Sequence, residues 1–230
     1  MAEPEDKKRR AAEASLAFVK DGMVLGLGTG STARHVLEGL SRKIAEGWHL
    51  QGVPTSLATA EAAKILGIPL TSLEEHPRLD LAIDGADEAD PRLDLIKGMG
   101  GALFREKIVA TASKKFVVVV DDSKLVPRLG TKTPVPVEVH PFGWRTVKAA
   151  LEGLGARAEM RARDGVTFRT DNGNHILDAR FGPIRSPAKL GRDLDAIPGT
   201  VGHGLFVGLA DVVLVGMENR VRTLRPTRRS

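Results

Sequence analysis

The chain has 230 residues, 42% hydrophobic and 27% charged, with a net charge of +5 and no cysteine. That is enough to bury a sizeable core in one large α/β domain or in one domain plus a small insert, while the missing cysteine excludes disulfides, thiolate metal sites and a cysteine nucleophile and fits a reducing compartment. Only 4% of the residues are aromatic and none is tyrosine, which leaves few stacking platforms for single-stranded nucleic acid.

Residues 7–20 read as a helix, with Ala11, Ala14, Leu16, Phe18 and Val19 apolar. Met23–Leu27 reads as a short buried strand, Ser31–Ala45 as a helix, Gly52–Pro54 as the end of a strand and Ser56–Leu66 as a helix. Ile68–Leu70 and Leu79–Ile83 read as strands, Ala102–Ala112 as a helix and Phe116–Val120 as a central, β-branched strand. Alternation of this kind implies a parallel sheet covered on both faces. From Pro127 the texture changes, with further prolines at 134, 136 and 141. Val135–Val139 is an expected strand and Gly143–Leu154 a helix; Ala158–Arg161, Val166–Arg169 and His175–Ala179 look antiparallel, with a turn at Asp171–Asn174. A helix at Ala188–Ala196 follows, and the apolar runs Leu205–Leu209 and Val212–Val215 are expected to rejoin the first domain. Pro141-Phe142-Gly143-Trp144 is expected to pack at a domain junction, because buried aromatics are usually core.

Four polar clusters follow apolar runs, where open α/β sheets bind ligands. Gly26-Leu27-Gly28-Thr29-Gly30-Ser31-Thr32 suits a phosphate at a helix N-terminus, or else is a tight turn with Ser31 as N-cap. It lacks the Gly-Lys-Ser/Thr of a Walker loop, and its third glycine comes too early for a dinucleotide fingerprint. Asp84-Gly85-Ala86-Asp87-Glu88 puts two carboxylates three apart, fit for sugar hydroxyls or proton transfer, or for a solvated acidic turn. Lys97-Gly98-Met99-Gly100-Gly101 brings an ammonium to a glycine turn, and Glu106 in the next helix is either functional or a surface complement to the dipole. Asp121-Asp122-Ser123-Lys124 offers a lysine to an anion, or an exposed loop lysine. The six histidines lack metal-ligand spacing.

Much of the positive charge lies at Lys7, Lys8, Arg9 and Arg10 and at Arg220, Arg222, Arg225, Arg228 and Arg229, and reads as solvated end runs. The basic N-terminus has no apolar stretch behind it, so no secretory signal is expected. No apolar run approaches the ~18 residues of a bilayer span. Neither nucleic acid nor membrane is an expected partner.

Taken together, the four clusters resemble ribose-5-phosphate isomerase A, as do Pro136-Val137-Glu138-Val139, Thr170–Asn174 with Ile176-Leu177-Asp178, and Ile197-Pro198-Gly199 with Gly204-Leu205-Phe206. The order and spacing hold from about residue 8 to 216. The resemblance implies a cofactor-free, metal-free aldose-ketose isomerase of the non-oxidative pentose phosphate pathway, cytoplasmic, working as a homodimer or tetramer on a sugar phosphate. It implies Glu106 as catalytic base, with Asp84, Asp87 and Lys97 as further catalytic groups. Thr29, Gly30, Ser31, Thr32, Asp84, Gly85, Ala86, Asp87, Lys97, Gly98, Met99, Gly100 and Lys124 would bind substrate. His203, where an acidic residue is expected, and the arginine-rich tail depart from the pattern. The expected fold is α/β: a Rossmann-like, mostly parallel sheet flanked by helices (1–129 and 205–230), with a smaller inserted α+β domain (130–204). Three other readings compete: a related sugar-phosphate isomerase or lactonase, a sugar-phosphate-binding effector module, and a dinucleotide-dependent oxidoreductase.

Overall fold

The computed structural model describes residues 3–226. In chain order these form α1 (Pro4–Ser15), β1 (Val24–Leu27), α2 (Ser31–Ala45), β2 (Gln51–Pro54), α3 (Leu57–Ile65), β3 (Leu81–Asp84), β4 (Glu88–Ala89), β5 (Leu95–Ile96), α4 (Leu103–Ala112) and β6 (Phe116–Asp121). Then come β7 (Val135–Val139), α5 (Trp144–Gly153), β8 (Arg157–Met160), β9 (Ala162–Arg163), β10 (Val166–Thr167), β11 (His175–Arg180), α6 (Pro187–Asp195), β12 (Thr200–His203), β13 (Leu205–Phe206), β14 (Val212–Gly216) and β15 (Val221–Leu224). The chain divides into two compact units: the first runs to Ala86 and adds Arg105–Leu125 and the residues from Leu209, and the second is Asp87–Phe104 with Val126–Gly208.

The first unit holds a six-stranded sheet ordered β15-β14-β6-β3-β1-β2, parallel except at β15. Alternation along the strands divides the side chains between its two faces. Leu25, Leu27, Leu81, Ile83, Val117 and Val119 pack with Ala11 and Ala12 of α1 and with Val36, Leu37 and Leu40 of α2. Gly26 points the other way, and a Cβ there would lie 2.4 Å from Val109 Cγ1, so the glycine lets α4 pack close on that face. α1 begins with Pro4 and carries Glu5 and Asp6 in its first turn, which suits the amide-rich end of a helix.

The second unit is built on an antiparallel sheet ordered β12-β7-β11-β8. Val135, Val137 and Val139 of β7 and Leu177 and Ala179 of β11 pack with Val147 and Leu151 of α5 and Leu194 of α6. A smaller antiparallel sheet, β13-β5-β4, flanks the Lys97 segment in sequence.

The α/β architecture with a mostly parallel sheet agrees with expectation, and particular segments differ. Ile68–Leu70 is no strand: Leu70 makes one isolated bridge to Gly52, and Pro69 has no N–H to extend a ladder. Val166–Arg169 does not join β11; residues 166–167 fold back on Ala162 and Arg163 in a separate ribbon. Residues 87–104 group with the second unit, because β4 and β5 pair with each other and β5 pairs with β13. That pairing also keeps Leu205 and Phe206 out of the first unit. Phe142 is 96% exposed, whereas Trp144 packs against the second unit's core.

The N-terminal charges are not a solvated run. Lys7 Nζ donates to both oxygens of Asp122 at 2.9 Å, and Arg10 donates to the Met217 carbonyl at 3.0 Å. Val221–Leu224 of the arginine-rich tail is an edge strand; Arg228 and Arg229 lie outside the described residues. No helix among the described residues is long and apolar enough to cross a membrane.

Candidate active site

The glycine loop after β1 is fixed by its neighbours. Gly28 N–H donates to the Ile83 carbonyl at 3.0 Å, and a Cβ at Gly28 would lie 2.2 Å from Asp84 Oδ1 and 2.6 Å from Asp84 Cα. The next amide, Thr29 N–H, donates to Asp84 Oδ1 at 3.0 Å, and Gly85 N–H donates to the same oxygen at 2.7 Å. Glycine at 28 is therefore what allows this contact between the loop and Asp84. The Thr29 hydroxyl lies 2.8–3.0 Å from the hydroxyls of Thr55, Ser56 and Thr59. That cluster ties the loop to the start of α3, where Ser56 caps the helix by accepting from Thr59 N–H.

Gly30, with φ +108°, is the N-cap of α2, so Ser31 is the first helical residue rather than the cap. No side chain caps this end. The first-turn amides of an α-helix have no acceptor within it, and the dipole makes that end attractive to an anion. Ser31 is exposed and Thr32 half-buried at this turn. Lys8 Nζ donates to Ser31 Oγ at 3.0 Å and to Glu5 Oε2 at 3.2 Å. Hydrogen bonding from His35, then from Lys8, holds the Glu5 carboxyl below the usual range. In sequence Lys8 is one of four consecutive cations, and nothing there singles out its contact with Ser31.

Asp84 ends β3 at 3% exposure, and Glu106 sits in the first turn of α4 at 5%. Buried carboxylates are costly unless something is gained from them; Glu106 is not the surface glutamate that its position allowed. Lys124 ends a short 3-10 turn (Asp122–Lys124) capped by Asp121, whose Oδ1 accepts from Ser123 N–H at 2.9 Å. Among the described residues the Lys124 side chain makes no ion pair or hydrogen bond.

The second unit carries the other clusters. Asp87 Oδ2 accepts from Met99 N–H at 3.0 Å, so the second carboxylate of the acidic motif is bonded to the glycine-rich segment. Glu88, fully buried, accepts from the backbone N–H groups of Gly130, Lys132 and Thr133 at 2.6–2.7 Å, and so anchors that loop. One short motif thus contains carboxylates with different jobs. Lys97 is 2% exposed; its N–H donates to the Gly204 carbonyl at 2.9 Å and its ammonium stands 5.6 Å from the centre of the Phe206 ring. Gly98 and Gly101 have φ of +102° and +91°, and Cβ atoms there would strike Leu103 and Phe168. Gly85 and Ala86 are half-buried, and Met99 and Gly100 are exposed. His203, the departure from pattern, is buried between elements: Nδ1 accepts from Leu205 N–H at 3.2 Å and Nε2 lies 3.2 Å from Asp195. No group of three or more His, Asp or Glu among the described residues is placed to hold a metal ion.

Comparison with known proteins points one way. The family described as ribose 5-phosphate isomerase A (phosphoriboisomerase A) matches residues 51–220. A ribose-5-phosphate isomerase A of Gloeobacter violaceus is 51% identical over 221 residues, 96% of each chain. That of Roseiflexus castenholzii is 52% identical over 211 residues, 90% of each. Among solved structures, a D-ribose-5-phosphate isomerase in complex with phospho-erythronic acid superposes with TM-score 0.95 at 41% identity, covering 97% of this chain and all of the other. Ribose 5-phosphate isomerase A from Methanocaldococcus jannaschii gives 0.93 at 44% identity with the same coverage. The chain belongs to the ribose 5-phosphate isomerase A family.

Proposed function

We propose that this protein interconverts D-ribose 5-phosphate and D-ribulose 5-phosphate through a cis-enediol, without metal or organic cofactor, as a cytoplasmic homodimer in the non-oxidative pentose phosphate pathway. The observation that supports the chemistry most is the near-complete burial of Glu106 in the first turn of α4, in a chain about half identical to isomerases of this family along nearly its whole length.

Moving the carbonyl from C1 to C2 requires one base that takes a proton from C2 and returns it to C1. Glu106 is that base. Its carboxylate removes the C2 proton of the open-chain aldose, and the C–H electrons form the C1=C2 bond of the enediol while O1 takes a proton. The neutral Glu106 then delivers its proton to C1 as O2 loses one and C2=O forms. A positioned carboxylate of this kind contributes about 10²–10⁴-fold. Asp84, Asp87 and Lys97 handle the hydroxyl protons and the charge that develops on O1 and O2, where fixed donors act with little reorganisation. Gly85, Ala86, Gly98, Met99 and Gly100 offer backbone to the sugar. The phosphate goes to the α2 turn, with Gly30, Ser31, Thr32 and the Thr29 loop, helped by Lys124. Lys8 joins that group through its bond to Ser31.

The test is turnover of ribose 5-phosphate by purified protein in excess chelator, with other pentose and hexose phosphates alongside. Ribulose 5-phosphate should form, and the other substrates should be poor. Failure of a well-folded sample to turn over would overturn the reading. Light scattering on the same sample checks the dimer.

A further inference from the structure

Arg161, just beyond β8, is not among the residues assigned above, and its side chain is only 9% exposed. Its guanidinium is fully engaged on two sides. Nε and Nη2 donate to the two oxygens of Asp178 at 2.9 and 2.5 Å, a bidentate pair. Nη1 donates to the carbonyls of Gly98 at 2.8 Å and Met99 at 3.1 Å. Its own backbone is held too: Arg161 N–H donates to the Ile176 carbonyl, and its carbonyl accepts from Phe168 N–H, both at 2.9 Å. The Phe168 ring then fills the space beside Gly101 that a Cβ would occupy.

The consequence follows from peptide planarity. In a trans amide the C=O and N–H point in opposite directions. The Gly98–Met99 peptide has its carbonyl on Arg161 and its N–H on Asp87 Oδ2 at 3.0 Å. Fixing one end of that plane fixes the other. The Met99–Gly100 peptide likewise has its carbonyl on Arg161, which directs the Gly100 N–H away from the guanidinium. Gly101 N–H closes a turn onto the Gly98 carbonyl at 3.0 Å, and both glycines that flank this stretch have positive φ, so side-chain bulk adds nothing to that turn and Arg161 grips the same carbonyl from outside.

We propose that Arg161, locked by Asp178, is a positioning residue for the isomerase reaction: it sets the peptide planes from Gly98 to Gly100 and, through Met99 N–H, the orientation of the Asp87 carboxylate. This rests on the reading that Asp87 and the Lys97–Gly100 segment act on the substrate. Lysine cannot replace the fork, because one ammonium does not hold a bidentate carboxylate and two carbonyls in a single plane.

The test is a cycle of variants read by kcat and KM. Arg161→Lys keeps the charge and Arg161→Gln removes it; Asp178→Asn loosens the lock without touching Arg161; circular dichroism and thermal melting check that each is folded. Arg161→Lys should lower kcat about 10²-fold, the scale of a misplacement near 1 Å, with a smaller change in KM, and Asp178→Asn should do the same more weakly. In an Asp87→Asn background the Arg161→Lys substitution should cost less, because the carboxylate it orients is already gone and only its hold on the peptide planes remains. A folded Arg161→Lys protein with wild-type kcat overturns the inference, as does an equal loss in both backgrounds. If Arg161→Gln does not fold, Arg161→Lys and Asp178→Asn carry the test. If Asp87→Asn alone turns over normally, the assignment of Asp87 fails first, and the inference falls with it.

Discussion

Gly28→Ala should damage both stability and catalysis, and the size of the effect can be worked out from distances. The new Cβ would lie 2.2 Å from Asp84 Oδ1, 2.4 Å from Asp84 Cγ and 2.6 Å from Asp84 Cα. Because the last is backbone, no rotamer change relieves the clash. The end of β1 must move away from the end of β3 by about 1 Å to restore ordinary carbon–carbon contact. Two hydrogen bonds lie across that gap, Gly28 N–H to Ile83 O and Thr29 N–H to Asp84 Oδ1, each 3.0 Å. The first is neutral and the second charge-assisted, worth about 1 and about 1.5–3 kcal/mol. Overpacking adds about 1–3 kcal/mol. A loss of about 3.5–7 kcal/mol is expected, a large part of the ~5–15 kcal/mol by which domains are stable. Urea unfolding reads the stability. Turnover at low denaturant reads the displacement of Asp84, and kcat/KM should fall even where the protein is folded. An alanine variant within about 0.5 kcal/mol of wild type, within the scatter of neutral surface changes, with normal kcat/KM, would refute the packing argument.

Other consequences are open to the same kind of check. Glu88→Gln places an amide NH₂ against backbone donors that now meet carboxylate oxygens at 2.6–2.7 Å; it should cost about 2–4 kcal/mol in urea unfolding and act on folding rather than on kcat. Lys124→Ala and Lys8→Ala should each raise KM about tenfold, the scale of one charge-assisted hydrogen bond, with kcat little changed; a pure kcat loss would remove the residue from phosphate binding. Burial raises the Asp90 pKa, and its Oδ1 accepts from Arg92 N–H and Asp94 N–H at 2.8 and 3.0 Å, bonds an asparagine oxygen can keep. With the folded-state pKa above the unfolded one, ionisation costs stability as pH rises from the ordinary carboxyl range through the raised value. Asp90→Asn should therefore melt higher than wild type at neutral pH, with the gain vanishing in acid; a gain independent of pH would contradict this.

Long, strongly patterned segments were legible. Ser31–Ala45 is a helix over those same residues, with one face buried, and Val135–Val139 is a strand over those same residues, a valine-rich run buried on both faces. Short pairings were not. Glu88–Ala89 and Leu95–Ile96 are two residues each, too brief for any period to declare itself, and their pairing moves residues 87–104 into the second unit. The β9–β10 ribbon had a signal in Asp164-Gly165, both at positive φ, the arrangement of a two-residue hairpin turn. Reading Ala158–Arg161 and Val166–Arg169 as long strands hid it. β15 alternates Val221 and Thr223 with Arg222 and Leu224, a charged edge whose composition looks like a tail.

The candidate residues stood out as clusters after apolar runs, but their separate contacts did not. Sequence shows Asp84, Asp87 and Glu88 as one acidic motif; only coordinates reveal Glu88 as an anchor for residues 130–133 and Asp87 as a partner of Met99. Lys8 and Arg161 were hidden for a related reason. Each is ordinary among 34 lysines and arginines, and each draws its proposed part from contacts with residues distant in sequence: Ser31 for Lys8, Gly98 and Asp178 for Arg161.

Whether Glu106 carries the proton between C2 and C1 can be read by following ribose 5-phosphate turnover in deuterium oxide for the wild type and Glu106→Gln, with folding checked by circular dichroism. With Glu106 as the base, kcat falls by about 10²–10⁴-fold in the variant, KM changes little, and deuterium incorporation at C1 of the product falls in step with turnover. A folded Glu106→Gln protein that isomerises and exchanges at the wild-type rate would contradict that role.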